Sequence, residues 1–214
     1  MKKLPVVEIF DSIDGEGKRA GEMAIFIRLA GCNLRCSYCD TSYALSIRDA
    51  IENLSANEIM DRVLKYPWKN ITITGGEPLM HHIGDLVDML ADFGYDVNIE
   101  TNGSKALDFS WQCFYTVDYK CFSSGEDKKM LMSNFINTRP KDVVKFVVGS
   151  REDLMQAARI TALIPEHTSV YLSPVFNAIT PAQIVDFIKE TKNPRLKLQV
   201  QLHKIVWQPD ARGV

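Results

Sequence analysis

The feature that most constrains this chain is an alternation of short apolar runs with segments of helical periodicity. Apolar runs bounded by turn residues predict strands at 6–10, 24–30, 70–74, 96–101, 114–117, 143–148, 170–173 and 196–201. Four segments between them place apolar residues on one helical face, and two of these begin at helix caps, Ser55 with Glu58 and Thr180 with Pro181. Strands that alternate with helices predict a parallel sheet, and right-handed crossovers curl such a sheet into a full or partial β/α barrel.

The length of the chain favours the partial form. The sequence has 214 residues, whereas a complete eight-unit barrel typically needs about 250. We therefore expect an α/β fold, a partial (truncated) β/α barrel with a mostly parallel sheet. Because no repeat, low-complexity tract or linker interrupts the sequence, we expect one domain over residues 1–214. Function in such folds lies at the carboxyl ends of the strands.

Composition and charge exclude several classes of protein. Lys plus Arg is 25 and Asp plus Glu is 27, for a net charge of −2, so the chain does not have the basic excess that nucleic-acid binding usually needs. With 46% hydrophobic and 24% charged residues the composition is not that of a disordered chain. Pro5 and Glu8 interrupt any signal peptide, and Pro174 and Pro181 interrupt the longest uncharged stretch. We expect a cytoplasmic protein that binds neither nucleic acid nor a membrane.

Cys32, Cys36 and Cys39 lie within eight residues, after a predicted strand. In a chain without an export signal, such clustering indicates metal binding rather than disulfides. A structural zinc ion normally takes four protein ligands, and no nearby Cys or His supplies the fourth. A four-iron cluster held by three cysteines would keep one iron without a protein ligand, where chemistry can occur. The alternatives are three buried cysteines without a metal, or a catalytic zinc with a water; Cys113 and Cys121 fit core positions.

The C-x3-C-x2-C spacing resembles the signature of the radical S-adenosylmethionine (radical SAM) superfamily. Residues 71–78, which end in Gly-Gly-Glu-Pro, resemble the strand-end GGEP motif of that superfamily. The resemblance implies a 4Fe-4S cluster on Cys32, Cys36 and Cys39. It also implies S-adenosyl-L-methionine on the open iron, where an electron passed to the sulfonium yields methionine and a 5′-deoxyadenosyl radical. The two glycines would allow close backbone approach, and Glu77 could accept hydrogen bonds from an ammonium group.

Other segments are similar to the 7-carboxy-7-deazaguanine synthase family of that superfamily, at 8–10, 13–17, 26–32, 39–41, 201–204 with Trp207, and 212–214. This resemblance implies a carbon–nitrogen lyase of queuosine and deazapurine biosynthesis. Its substrate would be 6-carboxy-5,6,7,8-tetrahydropterin, which loses ammonia as its ring contracts to 7-carboxy-7-deazaguanine. The resemblance also implies a flavodoxin or ferredoxin type electron donor and a homodimer.

The candidate substrate site combines this resemblance with side-chain chemistry. The rigid fork of Arg28 could pair with the substrate carboxylate, with a salt bridge at the barrel end as the alternative. Glu16 could accept from the amino and ring N–H groups of a pterin, and His203 could hydrogen-bond the substrate or move a proton. Asp14 stands where the family has glutamine, so we expect its side chain to point away or to pair with a cation. The candidate set is Ile13, Asp14, Gly15, Glu16, Arg28, Thr74 and His203.

The candidate cofactor site rests on similarity at the ends of predicted strands, where ordinary loop structure is the alternative. Tyr38 could offer an aromatic face to adenine. Thr41 resembles the magnesium position of the family, with Asp40 as an acceptor behind it. One hydroxyl is a weak ligand, so Mg2+ would keep several waters and bind well only with substrate oxygens. The residues assigned to S-adenosylmethionine are Tyr38, Cys39, Asp40, Gly76, Glu77, Asp118, Tyr119, Lys120, Ser173, Pro174, Val175 and Phe176.

Two other functions stay open on the sequence. A glycyl-radical-enzyme activase has a similarly short chain and the same cysteine spacing, but acts on a protein. A metal-binding or electron-transfer module without catalysis would leave the Gly-Gly-Glu-Pro segment and the matching termini unexplained. The Gly-Glu-Gly segment at 15–17, His203 and the Arg-Gly-Val end favour the deazaguanine synthase.

Overall fold

A single nine-stranded sheet forms the centre of the molecule. The computed structural model describes residues 2–209 and 211–214, and its strands run in the order β3-β1-β2-β4-β5-β6-β7-β8-β9. The strands are β1 (Leu4–Ile13), β2 (Met23–Leu29), β3 (Glu52–Leu54), β4 (Asn70–Gly75), β5 (Asp96–Thr101), β6 (Phe114–Lys120), β7 (Val143–Val148), β8 (Ser169–Pro174) and β9 (Leu196–Leu198).

The sheet is mostly parallel, as the sequence predicts. Strand β2 and the strands from β4 to β9 pair in parallel with one another. Only β1 pairs antiparallel within the described residues, with β2 on one side and β3 on the other. The α/β architecture with a partial barrel is thus confirmed, and seven parallel strands bring their carboxyl ends to one edge.

Helices connect the parallel strands and cover the sheet. They are α1 (Ala56–Val63), α2 (Gly84–Asp92), α3 (Met132–Ile136), α4 (Arg151–Thr161), α5 (Pro181–Thr191) and α6 (His203–Val206). Both predicted caps are confirmed: the Ser55 side chain accepts from the Glu58 amide in a reciprocal capping box, and Thr180 precedes Pro181 in the first turn of α5. None of the described helices is long and apolar enough to cross a membrane.

The helices bury their apolar faces against the sheet. Ile59 and Val63 of α1 and Leu86 of α2 are almost fully covered, together with Ile27 and Ile73 of the strands. Each such side chain contributes roughly 1.5–3 kcal/mol when it leaves water. This core packs the helices against one face of the sheet and so holds the strands in place. The loops that follow the strands therefore start from defined positions.

The chain after β8 differs from the sequence-based expectation. The predicted strand at 196–201 ends at Leu198, because the Gln199 side chain turns toward the loop after β1. Its amide makes two hydrogen bonds with Gly17, accepting from the Gly17 N–H at 2.6 Å and donating to the Gly17 carbonyl at 2.9 Å. The short helix α6 begins at His203. The short strand β3 was not predicted.

Candidate active site

A cavity of about 870 Å3 opens where the parallel strands end. Residues at or after the ends of β2, β4, β5, β6, β7 and β8 line it, together with the end of β1 and the C-terminal residues. This is the location expected for a β/α barrel. Its volume suits a ligand of nucleotide size.

The loop after β2 brings the three cysteines to the wall of this cavity. Cys32, Cys36 and Cys39 are all partly exposed and all line it. The Cys32 amide donates to the Leu45 carbonyl at 3.0 Å, and the Leu34 amide donates to the Cys32 sulfur at 3.4 Å. These hydrogen bonds fix the start of the loop that carries the three cysteines.

The donor set of this loop fits an iron–sulfur cluster. Burial raises the pKa of the Cys36 thiol, Lys120 opposes that shift, and the neighbouring Cys39 and Cys32 add to it. Within residues 2–209 and 211–214, no three Cys, His, Asp or Glu side chains converge tightly enough for a single ion. Three cysteine thiols on one short loop are the soft donor set that iron–sulfur clusters use. Cys113 and Cys121 are buried, as expected for core positions.

The two glycines at the end of β4 and directly after it permit a close approach of two backbone segments. A Cβ on Gly75, whose φ is 151°, would meet the backbone of Leu29, and a Cβ on Gly76 would meet the carbonyl of Gly31. The close approach thus joins the end of β4 to the start of the cysteine loop. Gly75 and Gly76 both line the cavity.

Glu77 lies outside the cavity lining, unlike its neighbour Gly76. Its carboxylate is buried and accepts hydrogen bonds from the Leu79 amide at 3.0 Å, the Thr101 hydroxyl at 2.8 Å and the Asn102 amide at 2.7 Å. These contacts tie the end of β4 to the end of β5. In this structure the Glu77 carboxylate binds three donors inside the protein. Its assignment to S-adenosylmethionine stays a prediction.

Asn102, whose backbone amide donates to Glu77, lies at the cavity wall. It lines the cavity, and its side-chain amide donates to the Cys32 sulfur at 3.7 Å and to the side-chain Oδ1 of Asn33 at 3.2 Å. The sequence showed Asn102 only as part of a strand-end turn and gave no reason to place it at the site. Its proximity to the cysteine loop depends on the pairing of distant strands.

A buried network of charges forms the inner wall of the cavity. The Lys145 ammonium donates to Glu16 at 2.9 Å and lies 3.2 Å from Asp118, while Lys120 contacts the other Asp118 oxygen at 3.0 Å. Burial would raise the pKa of Glu16, but Lys145 and hydrogen bonds from Ser173 and other donors hold it below its usual value. Four of these side chains line the cavity, and Ser173 lies behind Glu16.

Lys145 and Glu100 were not predicted as site residues. Lys145 is the one charged residue in the apolar strand β7, and a lysine inside a buried run is the signal that could have identified it. Glu100 accepts from the Thr74 hydroxyl at 3.1 Å, and both line the cavity. Burial raises the pKa of Glu100 to about 7.

Arg28 lines the cavity from β2, and its side chain makes the salt bridge that the sequence left as the alternative to a substrate contact. Its Nε donates to Glu8 at 2.6 Å, which is a salt bridge at the barrel end. The Tyr43 hydroxyl donates to the same Glu8 oxygen at 3.0 Å. The guanidinium also lies 6.0 Å from the Phe10 ring centroid. Glu8 therefore holds Arg28 at the cavity wall through one edge of its fork.

The segment after β1 meets the start of α6. Ile13, Gly15, Glu16 and His203 all line the cavity, and Gly15 lies against the His203 ring so closely that a Cβ would collide with Nδ1. The Leu202 amide donates to the Gly15 carbonyl at 3.1 Å, which closes this side of the barrel. Burial lowers the pKa of His203, so its imidazole is neutral at pH 7.

Asp14 alone of the predicted substrate residues does not line the cavity. Its carboxylate is buried, accepts from Arg19 Nε at 2.8 Å and accepts from the Thr72 hydroxyl at 2.9 Å. The expectation that Asp14 pairs with a cation is confirmed. Both carboxylate oxygens of Asp14 have partners inside the protein, and the residue is not on the cavity wall. The geometry therefore does not support Asp14 as a substrate-binding residue.

The remaining candidate residues divide between the cavity and the core. Those on the cavity wall are Tyr38, Asp40, Thr41, Val175 and Phe176. Tyr119 does not reach it, because alternate residues of a strand face opposite sides; its ring packs against Phe135 and Phe146 with centroid distances of 5.0 and 5.2 Å. Pro174 lines a second, smaller cavity of about 420 Å3 beside Phe176.

Comparisons with known proteins agree with this arrangement. The pattern of the Radical SAM superfamily matches residues 26–108. The chain is 43% identical over 217 residues to a 7-carboxy-7-deazaguanine synthase of Clostridium acetobutylicum, with 98% of each chain covered. It is 36% identical to a protein of the same name from Chlorobaculum tepidum, covering 99% of this chain and 97% of that one. This chain belongs to the 7-carboxy-7-deazaguanine synthase family.

A solved structure supports the fold of this family member. The crystal structure of QueE from Escherichia coli has a TM-score of 0.75 to this chain, with 24% sequence identity, and covers 92% of this chain and 94% of that one. Membership of the radical SAM superfamily implies a 4Fe-4S cluster and S-adenosylmethionine as cofactors. Cys32, Cys36 and Cys39 fit the cluster, because all three line one cavity from the loop after β2.

Proposed function

We propose that this protein is a radical SAM lyase that converts 6-carboxy-5,6,7,8-tetrahydropterin to 7-carboxy-7-deazaguanine with loss of ammonia. The observation that carries the proposal is the similarity to synthases of that name along almost the whole chain. The three cysteines on a cavity of about 870 Å3 supply the place where such a reaction needs its cofactors.

Cys32, Cys36 and Cys39 would hold the cluster in this proposal. When bound, the cluster and S-adenosylmethionine supply the radical that starts the reaction on the substrate. Tyr38 and Phe176 lie on the same cavity wall and offer aromatic surfaces to an adenine ring. The chain itself keeps this region ordered through the hydrogen bonds around the cysteine loop.

The cavity wall offers two kinds of contact to a carboxylated pterin. Arg28 has one edge on Glu8, and we assign the rest of its fork to the substrate carboxylate. Glu16 lines the cavity, and the adjacent Lys145 keeps its pKa low. We assign the lone pairs that its carboxylate has beyond the contacts with Lys145, Ser173 and Gln201 to the amino and ring N–H groups of the pterin. The hydroxyl of Thr74 and the backbone at Ile13 and Gly15 complete this side of the proposed substrate site.

His203 and Glu100 are suited to holding or moving a proton as ammonia leaves. Burial lowers the pKa of His203, so the neutral ring can accept a proton. Burial raises the pKa of Glu100 to about 7, so its carboxyl can give or take a proton near neutral pH. Both residues line the cavity. The Glu16 carboxylate partly opposes the effect of burial on the pKa of His203.

Magnesium and the partner proteins belong to the same proposal. The Thr41 hydroxyl donates to Asp40 at 3.1 Å and lines the cavity. The Thr41 hydroxyl supplies only one oxygen ligand, so Mg2+ bound there would need substrate oxygens and waters as its other ligands. We further propose a flavodoxin or ferredoxin type electron donor, a homodimer, a single domain over residues 1–214 and a cytoplasmic location.

The test is anaerobic reconstitution with iron and sulfide, followed by dithionite, S-adenosylmethionine and the carboxypterin. We expect 5′-deoxyadenosine and 7-carboxy-7-deazaguanine to form only when the carboxypterin is present. Cleavage of S-adenosylmethionine that does not respond to the pterin, but responds to a glycyl-radical enzyme, would establish the activase instead.

Two variants separate the cofactor site from the substrate site. Cys36→Ala should remove both the brown colour and the activity, because it deletes one cluster ligand. Arg28→Ala should weaken carboxypterin binding and keep the cluster spectrum. Arg48→Ala, an exposed arginine that is not on the cavity, serves as the matched control. Unchanged carboxypterin binding in Arg28→Ala would remove that residue from the substrate site.

A further inference from the structure

The C-terminal residues form part of the cavity wall near Arg28. Gln208, Pro209 and residues 211–214 line the cavity. The guanidinium carbon of Arg212 lies 3.9 Å from the centroid of the Tyr43 ring, which is a stacking contact. Stacking engages the face of a guanidinium group and leaves its N–H donors directed outward in the plane. Tyr43 therefore orients the donors of Arg212 without using them.

Tyr43 is itself held in a defined position. Its hydroxyl donates to Glu8 at 3.0 Å, and Arg28 donates to the same carboxylate oxygen at 2.6 Å. The Arg28 guanidinium carbon lies 5.7 Å from the Tyr43 centroid. Two guanidinium groups, Arg28 and Arg212, thus lie against one aromatic ring on the cavity wall.

The distribution of charge on the wall indicates what this pair binds. On the inner wall, Lys145 and Lys120 are compensated by Glu16 and Asp118 at 2.9 to 3.2 Å. At Tyr43, the guanidinium carbons of Arg28 and Arg212 lie 5.7 and 3.9 Å from the ring centroid, and Glu8 accepts from the hydroxyl. Across residues 2–209 and 211–214, Glu8 is the only carboxylate that forms an ion pair with Arg28. The Tyr43 end of the cavity is therefore the end that favours an anion.

We propose that Arg212 is a specificity-determining residue that binds the carboxylate of the substrate together with Arg28. Tyr43 is the platform that orients Arg212, and Glu8 positions Arg28 and Tyr43. The inference rests on the proposed function, since it takes the carboxypterin as the substrate. It adds that the C-terminal segment selects the carboxylated pterin over a pterin without that group.

The variant for this test is Arg212→Gln, which removes the charge and keeps most of the side chain. A hydrogen bond to a charged group is worth enough that its loss should raise the KM for 6-carboxy-5,6,7,8-tetrahydropterin by about tenfold or more. We expect kcat to change little, because the carboxylate does not react. Arg151→Gln is the matched control, since Arg151 is exposed on α4 and pairs with Glu190.

A binding measurement gives a readout that a structural role would not change. Dissociation constants for fluorescent 6-carboxypterin and for unsubstituted pterin are measured on the cluster-loaded protein without turnover. Arg212→Gln should weaken binding of 6-carboxypterin by about tenfold and leave binding of pterin within about twofold. Arg212→Lys should fall between the wild type and Arg212→Gln, because it keeps the charge but not the planar fork.

The outcomes distinguish this inference from the proposed function. If the wild type turns over the carboxypterin and Arg212→Gln has an unchanged KM, the inference is overturned while the function stands. Equal weakening of both pterins would also overturn it, since the carboxylate would not be the group recognised. A wild-type protein that neither binds nor converts the carboxypterin overturns the proposed function and this inference together.

Discussion

Replacement of the buried Lys145 by methionine tests the electrostatic account of the cavity wall. The side chain is 7% exposed and contacts Glu16 at 2.9 Å and Asp118 at 3.2 Å. Breaking a buried ion pair by removing one partner costs roughly 3–5 kcal/mol, because a buried charge is left without compensation. For a chain of this length, that loss corresponds to a fall in Tm of roughly 6–20 °C.

The loss should depend on pH with a sign that the structure fixes. In the wild type, the pKa of Glu16 is lowered despite burial, so its stabilisation is present above the unfolded pKa and is lost as pH falls through the folded value. Without Lys145, burial dominates and the pKa of Glu16 rises above the unfolded value. Stability of the variant then falls as pH rises above about 4.3. The deficit relative to the wild type should be larger at pH 8 than at pH 5.

The assay is urea unfolding of the reconstituted protein, free of oxygen, at pH 5 and at pH 8. Lys189→Met is the matched control: Lys189 pairs with Asp186 at 3.9 Å and its side chain is 74% exposed, so it should cost less than about 0.5 kcal/mol. Adding Glu16→Gln to Lys145→Met should recover part of the loss at pH 8. A Lys145→Met protein as stable as the wild type, or equally destabilised at both pH values, would refute this reasoning.

Three further changes probe the barrel and its lining. Gln199→Ala removes two hydrogen bonds to Gly17 and should cost about 1–3 kcal/mol in urea unfolding; an unchanged midpoint would show that they do not hold the barrel together. Gly76→Ala places a Cβ against the Gly31 carbonyl and should cost roughly 1–3 kcal/mol or more, measured as Tm. Burial raises the pKa of Glu100 to about 7, so its ionisation removes stability as pH rises from about 4.3 toward 7. Glu100→Gln should therefore stabilise the protein at pH 8 but not at pH 4, and equal unfolding midpoints at pH 8 would contradict the burial argument.

The local sequence was sufficient to predict those features that depend only on residues close together in the chain. The Ser55 and Thr180 caps, the runs that became parallel strands and the cysteine triplet after β2 are all determined by neighbours in the chain. Local reasoning was wrong about residues 199–201, which lie outside β9, and the Gln199 side chain pairs with Gly17 across the barrel. That contact joins residues 182 positions apart, and no local pattern records it.

The sequence by itself therefore determined the α/β architecture, the edge where function lies and the three thiols suited to a cluster. Only the tertiary structure decided which charges meet on that edge. Asp14 faces Arg19 and not the cavity, Glu77 ties two strand ends together, and Lys145 from an apolar strand reaches Glu16. Periodicity assigns a side chain to a face of an element, but the partner it meets depends on how distant strands pair and on which buried charges compensate one another.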